Sequence, residues 1–447
     1  MDQPERTTVA RETDRIHQAT AAEARRRALV AGCIGNLVEW YDFALYGAFA
    51  TVLVAVFFPE ADPVSGLLAA FAVFGVAFVA RPAGALFFAH HGDRLGRRRA
   101  LAASILLMAV ATAAIGLLPG YGSIGWLAPA LLVLLRAGQG AAVGGEYGGS
   151  AAFVVEYAPP DRRGWYGGWQ WATIALGLAA GIATAAALSA TMDGSTLHSW
   201  GWRLAFLLAL PLGLVGLWIR VRTEETPGFR AVQRLDAAAR TPLADTLRTA
   251  RRSVVVGFGL VAAVTATFNI VFVFLPSQLA TTGRAPLSRA LAAALVGLLV
   301  AAGAAALAGR LSDRMGRRPL LLAGGVALLV LMVPMTVLIL RGEPGGLVVG
   351  YSLIGLALGI LVPSTFLAEL FATRLRYSGL SLTYGLGSAL FGGTAPALAA
   401  FLVRRTGHAL SPAWYATTLT VVAIAFVLLA PETAGRPLDA GGDRPAA

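Results

Sequence analysis

The stretch Gly92-Asp93-Arg94-Leu95-Gly96-Arg97-Arg98 returns as Ser312-Asp313-Arg314-Met315-Gly316-Arg317-Arg318, 220 positions later. Each copy lies in a short basic loop between two long apolar segments. A single charged loop of this kind is ordinary in a multi-pass membrane protein. Two copies, each after the second apolar segment of one half of the chain, indicate a duplicated helical bundle. The repeat therefore favours a transporter built from two halves.

Composition independently indicates an integral membrane protein. The 447 residues are 57% hydrophobic and 13% charged, and the mean hydropathy is +0.69, whereas soluble proteins are about 25% charged. Apolar runs of about 20 residues, long enough to cross a bilayer as helices, recur along the chain. The runs do not alternate between apolar and polar residues, which disfavours a barrel. We predict an all-α fold with twelve membrane-spanning helices at 28–58, 65–90, 100–119, 126–157, 165–190, 201–221, 253–280, 288–309, 319–341, 346–371, 379–404 and 411–430.

Polar segments divide these helices into two sets of six. The predicted organisation is a cytoplasmic tail at 1–27, a first bundle at 28–221, a linker at 222–252, a second bundle at 253–430 and a second cytoplasmic tail at 431–447.

The charge distribution predicts the orientation of the chain. The net charge of +12 could suggest nucleic acid as a partner in a soluble protein, but here arginines crowd alternate loops, as the positive-inside rule describes. Both termini are therefore expected in the cytoplasm of a bacterial-type cell, with the chain in the plasma membrane. Arg404 and Arg405, in a predicted outer loop, break the pattern. With Cys33 as the only cysteine and scattered histidines, we expect no disulfide, metal or cofactor.

Charged residues inside the apolar spans are candidates for function. Each costs roughly 2.5–3.5 kcal/mol at the bilayer centre on insertion scales, so each must face a hydrated cavity or a partner. Glu39 and Asp42 lie about one turn apart on one helix face. Two carboxylates this close suit a proton carrier, although they could equally form ion pairs with Arg81 or Arg136. Glu146, in a glycine-rich helix that also holds Arg136, is a further candidate for proton coupling.

The buried arginines point to the kind of solute. Because arginine stays protonated, Arg81 and Arg136 would bind a carboxylate or hold a neighbouring acid ionised. A small carboxylate or zwitterion would satisfy both the arginines and the acids. Aromatic residues could add a cage for a quaternary amine, although such residues more often serve packing. The other predicted substrate-binding residues are Tyr41, Trp169, Gln170, Asn269 and Tyr384.

The repeated loops are predicted to form a cytoplasmic gate. Each aspartate is placed to accept hydrogen bonds from backbone N–H groups at a helix start and from arginine across the bundle interface. The predicted gate residues are Asp93, Arg94, Arg97, Glu156, Asp313, Arg314 and Arg317.

Several stretches, taken together, resemble one family. Gly35-Asn36-Leu37-Val38-Glu39-Trp40-Tyr41-Asp42-Phe43, Arg81-Pro82-Ala83-Gly84 and Val143-Gly144-Gly145-Glu146-Tyr147 look like the metabolite:proton symporters of the major facilitator superfamily. Phe57-Phe58-Pro59-Glu60-Ala61-Asp62-Pro63 and Pro431-Glu432-Thr433-Ala434-Gly435-Arg436-Pro437-Leu438 are most similar to the proline/betaine proton symporters. The resemblance covers about residues 28 to 437.

This resemblance implies two six-helix bundles that rock around a central cavity and move solute and proton together, in a chain that works as a monomer. We expect proton-coupled symport of a proline- or betaine-like solute or an organic acid. A proton-coupled antiporter would use the same acids. A non-transporting membrane receptor would keep the fold without needing titratable groups in the bundle. An enzyme is disfavoured, since no metal or nucleophile spacing is present.

Overall fold

The computed structural model describes residues 3–60, 63–95, 97–144, 146–222 and 242–438. Within these ranges, side chains are described from Glu23 onward except at residues 24, 63–65, 67–68, 71, 89–98, 100 and 242–245.

Apolar helices account for almost all of the first half. The first helix bends by 65° after Ala48 and continues as a short helix. We number the spans α1 (Gln3–Ala48, continued by Ala50–Phe57), α2 (Pro63–Leu95), α3 (Arg97–Leu117), α4 (Leu127–Tyr157), α5 (Pro160–Thr191) and α6 (Gly194–Val221).

The second half repeats this arrangement. A short helix, Pro242–Thr249, lies inside the segment predicted as a linker and precedes the next span. The spans are α7 (Arg251–Thr281), α8 (Leu287–Met315), α9 (Arg317–Leu340), α10 (Pro344–Leu370), α11 (Thr373–Thr406) and α12 (Ser411–Leu429).

Hydropathy and length support the prediction of an all-α membrane fold. Of the described helices, nine are long and apolar enough to span a membrane, and the bent pair in α1 adds a tenth. Shorter apolar stretches, Ala72–Phe88 and Leu101–Leu117, lie within α2 and α3. Each of the twelve predicted spans lies on a described helix or on a run of consecutive helical elements, and the predicted fold class is confirmed.

Glycine permits the closest helix approaches. A Cβ at Gly84, Gly140 or Gly144 would overlap the backbone of the facing helix, so α2 and α4 meet at their backbones in the first bundle. Gly164 of α5 and Gly309 of α8 form an equally close contact between the two bundles. Gly309 belongs to the stretch that precedes the Asp313 loop, so the repeated motif begins at a bundle–bundle contact.

The residues after α12 hold the start of α9. Glu432 accepts hydrogen bonds from the backbone N–H groups of Arg317 and Arg318, at 2.8 and 3.0 Å. Burial raises the pKa of the Glu432 carboxyl, but these bonds and those from Ala434 and Thr433 outweigh it and hold the pKa below its ordinary value. A carboxylate at the first turn of a helix also interacts favourably with the helix dipole.

Candidate functional site

Glu39 and Asp42 form two separate ion pairs instead of sharing one partner. Arg81 Nη2 donates to Glu39 Oε1 at 3.0 Å, and Arg136 Nη1 donates to Asp42 Oδ2 at 2.9 Å. Gln139 donates to the other oxygen of Asp42 at 2.8 Å. All four charged side chains are at most 1% exposed. The face of α1 therefore presents two acid–guanidinium pairs, one turn apart.

The two arginines differ in what surrounds them. Aromatic rings face the Arg136 guanidinium, with Tyr46 at 4.4 Å and Phe43 at 5.0 Å, so this pair is enclosed within the first bundle. Arg81 lies 4.2 Å from the Phe78 ring, and Phe78 packs closely against Gly393 of the second bundle. The Glu39–Arg81 pair is thus the one nearer the interface between bundles.

The Glu39–Arg81 pair has unused hydrogen-bonding capacity. Arg81 Nε and Nη1 and Glu39 Oε2 are buried and have no hydrogen-bond partner. Buried polar groups of this kind are usually satisfied, and exceptions need an explanation. A solute with both an anionic and a cationic or hydrogen-bond-donating group would satisfy both sides of the pair.

A central polar cluster surrounds this pair and joins the two halves. The Tyr147 and Tyr384 rings stack with centroids 3.4 Å apart, and Ser364 donates to Gln170 at 2.6 Å. Asn36 donates to the Gln170 carbonyl at 3.0 Å. Every member is buried and comes from α1, α2, α4 or α5 on one side and α10 or α11 on the other. The cluster consists of Asn36, Glu39, Arg81, Tyr147, Gln170, Ser364 and Tyr384.

The other predicted substrate residues lie away from this cluster. The Tyr41 hydroxyl donates to the Ala205 carbonyl of α6 at 3.1 Å, which turns it into the first bundle. Trp169 is half-buried and packs edge-on against Trp165, with ring centroids 5.7 Å apart. Asn269 donates to the Thr265 carbonyl in its own helix at 2.8 Å, but its buried Oδ1 has no partner. Of these three, Asn269 alone has a buried polar side-chain atom without a partner.

Glu146 lies in a third buried ion pair, which the sequence did not predict. Arg220 of α6 donates through both Nη atoms to the Glu146 carboxylate, and Ser104 donates to it at 3.0 Å. Arg220 also donates to the Leu101 carbonyl at 3.0 Å. This acid is fully hydrogen-bonded and ties α4 to α3 and α6, which favours a structural role for the pair.

The second repeated loop connects the two bundles directly. Asp313 accepts from the backbone N–H groups of Gly164 and Trp165 at the start of α5, at 2.7 and 2.9 Å. Arg317 donates to Asp313 at 2.8 Å and makes two bonds of 3.2 Å to Glu369 of α10. The Asp313 side chain therefore joins a helix start in one half to a charged network in the other, while Arg314 is exposed.

Further contacts close the same end of the molecule. Arg376 of α11 donates to Glu156 of α4 at 3.0 Å. Arg163 donates to the Arg436 carbonyl at 2.7 Å, so the segment after α12 contacts both bundles. We call this region the Asp313 end. The side chains of Asp93, Arg94 and Arg97 lie outside the described residues.

The sequence missed several residues that the structure places at these sites. Asn36 and Tyr147 lie inside conspicuous motifs but are uncharged, so the search for charges passed over them. Ser364 follows Pro363 at a break in α10, which is the one local signal that could have identified it. Among the described residues, no group of three His, Cys, Asp or Glu side chains could hold a metal ion.

Two bundles of membrane-spanning helices, with a polar cluster buried between them and one end closed by ion pairs, define a membrane transporter. It is not an enzyme. A family model for sugar (and other) transporters matches residues 28–251 and 242–441, one match in each half, and the chain belongs to this family.

Relatives agree with the resemblance seen in the motifs. The chain is 38% identical over 436 residues to the proline/betaine transporter of Escherichia coli K12, covering 94% of this chain and 86% of the relative. The figures are the same for a glycine betaine/proline/ectoine/pipecolic acid transporter of Dickeya dadantii. The solved structure of the proton:xylose symporter XylE with 6-bromo-6-deoxy-D-glucose, a major facilitator superfamily protein, superposes with a TM-score of 0.79 at 18% identity. The superposition covers 94% of this chain and 98% of the XylE chain, which confirms the major facilitator fold.

Proposed function

We propose that this transporter moves a small zwitterion or carboxylate, of the proline or glycine betaine kind, together with protons by alternating access. The observation that carries this proposal is the presence of two buried acid–guanidinium pairs on one face of α1. One pair faces the bundle interface and the other is enclosed in the first bundle. Both guanidinium groups keep two nitrogens without a hydrogen-bond partner, and only the interface pair also has a free carboxylate oxygen, Glu39 Oε2. Relatives with 38% identity are named as transporters of proline and betaine.

The Glu39–Arg81 pair is assigned to the solute. The planar guanidinium of Arg81 can bind a carboxylate through its two free N–H groups. Glu39 and the Tyr147–Tyr384 stack would receive the cationic nitrogen, since a cation is attracted to the face of an aromatic ring. Binding would thereby connect α1 and α2 to α11, across the interface.

The Asp42–Arg136 pair is assigned to the proton. A proton on Asp42 removes the charge that holds Arg136 and leaves Gln139 and Thr112 to rearrange around it. Arginine keeps its proton, so Arg136 acts as a fixed counter-charge. Because the two pairs lie one turn apart on α1, a change in one alters the electrostatic field at the other.

Alternating access would proceed by breaking and remaking the contacts at the Asp313 end. Proton and solute together would favour the state that can reorient, because a ligand shifts an equilibrium only by its differential affinity. We place the Asp313 end and both termini in the cytoplasm, since arginines concentrate there. The chain would work as a monomer in a bacterial-type plasma membrane, since each half contributes to one site.

Two alternatives make different use of the same groups. A proton-coupled antiporter would export its solute through the same acids and bind solute and proton in turn. A receptor of this fold would bind solute without flux.

Uptake in proteoliposomes distinguishes these functions. Vesicles containing the purified protein would receive labelled proline or glycine betaine, with a pH gradient imposed acid-outside, acid-inside or absent. Symport predicts accumulation above equilibrium with the acid-outside gradient alone, and an ionophore should abolish it. Accumulation with the opposite gradient would indicate antiport, and binding without flux would indicate a receptor.

A further inference from the structure

A cavity of about 740 Å³ lies at the end of the second bundle opposite Asp313. Three turns meet around it, namely those between α7 and α8, α9 and α10, and α11 and α12. Each turn contributes one cationic or hydrogen-bond-donating side chain, respectively Arg284, Arg341 and His408. The cavity lies at the start of α8 and Asp313 lies at its end. The central polar cluster lies between these two ends, so the cavity is a separate site.

Arg284 and Arg341 make this site positively charged, and His408 adds a hydrogen-bonding side chain. No carboxylate lines the cavity among the residues that the structure describes. Glu343 is close in sequence to Arg341, but it is exposed and does not line the cavity. No ion pair to Arg284, Arg341 or His408 is found in the described part of the chain. An anion is therefore the ligand that this surface would favour.

The geometry around Arg284 is fixed before any ligand arrives. Arg284 Nη1 donates to the Leu340 carbonyl at 2.7 Å. Gly342 has a φ of +77°, and a Cβ there would overlap the Arg284 carbonyl, so the turns bearing Arg284 and Arg341 pack against each other.

Exposed apolar side chains form part of the cavity wall. Trp414, in the first turn of α12, is 58% exposed, and Val337 of α9 is also exposed on the cavity wall. Tryptophan is enriched at the level of lipid headgroups. The site thus combines cations at headgroup level with an apolar wall along α9 and α12, where acyl chains would lie.

From these features we infer that this cavity binds the headgroup of an anionic phospholipid, with the phosphate among Arg284, Arg341 and His408. Basic pockets between membrane-spanning helices are known to suit such headgroups. A zwitterionic lipid carries an ammonium group that the same cations repel, so the site selects for net negative charge. One bound headgroup would brace three turns of the second bundle. This inference does not rest on the identity of the transported solute.

Lipid titration of the purified, delipidated protein in detergent tests the inference. Native mass spectrometry would measure retention of phosphatidylglycerol against phosphatidylethanolamine. We expect retention at least tenfold stronger for phosphatidylglycerol, a selectivity equivalent to roughly 1.4 kcal/mol. The triple variant Arg284→Gln/Arg341→Gln/His408→Gln should reduce this selectivity to about twofold or less, corresponding to roughly 0.4 kcal/mol.

Controls distinguish this site from general charge effects. Arg404→Gln/Arg405→Gln removes two exposed charges from the same end that do not line the cavity, and it should keep the selectivity. Thermal unfolding in phosphatidylethanolamine alone checks that the triple variant is folded, and Arg341→Gln alone provides a milder variant. An equal loss of lipid selectivity in the triple variant and in the Arg404→Gln/Arg405→Gln variant would overturn the inference. Unchanged selectivity in the triple variant would overturn it as well. Competition by free glycerol phosphate as strong as that by the lipid would show a site for a soluble anion, which also overturns it.

Discussion

Asp42 and Glu39 have the same chemistry and differ in their surroundings. Asp42 is held by Arg136 and Gln139 inside the first bundle, whereas Glu39 is held by Arg81 beside the tyrosines of the interface. This difference in position is the basis for the proton role that we propose for Asp42 and the solute role that we propose for Glu39. The same difference gives each residue a distinct mutant phenotype.

Asp42→Asn should abolish accumulation driven by a pH gradient while solute exchange between the two sides of the vesicle continues. The amide keeps the size of the side chain but cannot carry a proton, and its single oxygen can accept from only one of Arg136 and Gln139. Glu39→Gln is the matched control, and it should weaken solute binding in both assays. Full gradient-driven accumulation by Asp42→Asn would remove Asp42 from the proton path.

Arg81→Lys should raise the half-saturation concentration for solute at least tenfold, because the ammonium lacks the planar pair of donors. This change corresponds to a loss of roughly 1.4 kcal/mol of binding free energy. Counterflow at a series of solute concentrations measures this. Arg203→Lys is the control, since Arg203 binds the carbonyls of Gly116 and Leu118 at the end of α3. An unchanged half-saturation value for Arg81→Lys would mean that Arg81 serves only to hold Glu39.

At the level of single elements, the segment after α12 acts as an external cap for α9. Glu432 occupies the helix start, Thr433 donates to Glu369 at 2.7 Å, and the Arg436 carbonyl accepts from Arg163. A short non-helical segment thus connects α9, α10 and α5. Hydropathy alone gives no reason to expect structure after the last span, and the stretch from Pro431 served in the sequence only as part of the family resemblance.

Glu432→Ala should lower the free energy of unfolding by about 1 kcal/mol at neutral pH, the usual cost of losing a helix cap. Because the pKa of this carboxyl is lowered in the folded protein, its contribution is present above the unfolded pKa and is lost as the pH falls through the folded pKa. Unfolding measured in detergent at several pH values should therefore show the difference from wild type disappear in acid.

Glu343→Ala is the control for this effect, because Glu343 precedes α10 without a capping hydrogen bond. An equal loss of unfolding free energy in the two variants would contradict a capping role for Glu432. A difference between Glu432→Ala and wild type that persists unchanged in acid would also contradict it.

The whole molecule is closed at the Asp313 end by contacts that cross between bundles. Asp313 accepts from the start of α5, and Arg376 donates to Glu156. Thr365 donates to the Arg163 carbonyl at 3.1 Å. Opening at this end must break these contacts together, which gives the transition a two-state character.

Asp313→Asn should shift this equilibrium toward the state open at the Asp313 end, since it removes the charge that accepts from two backbone N–H groups. A loss of about 1–3 kcal/mol corresponds to a shift of roughly five- to 150-fold. The reporter is the rate of thiol labelling at Thr365→Cys in a Cys33→Ser background. Asp161→Asn, an exposed acid near the start of α5, serves as the control. Unchanged labelling together with impaired transport would show that Asp313 acts through folding or insertion.

Sequence predicted the architecture well because the bilayer imposes strong constraints on length and polarity. All twelve spans coincide with described helices, and the buried charges were identified as a group. The partners were harder to predict, since pairing depends on how each helix is rotated and packed. Arg220 lies near the last turn of α6, where a snorkelling arginine is ordinary, so nothing local marked it as the partner of Glu146. Ser364 gained its place only through the approach of the two bundles, since it donates to Gln170 of α5.

The spacing of the buried ion pairs along the chain has a consequence for biosynthesis. Glu39 precedes Arg81 by 42 residues, Asp42 precedes Arg136 by 94, and Glu146 precedes Arg220 by 74. When α1 leaves the ribosome, both of its acids lack the arginines that accompany them in the folded protein. A helix with two unpaired acids is costly in lipid, so we expect α1 to stay beside the insertion machinery until α4 has been made. We therefore expect the first half to assemble as one unit during translation.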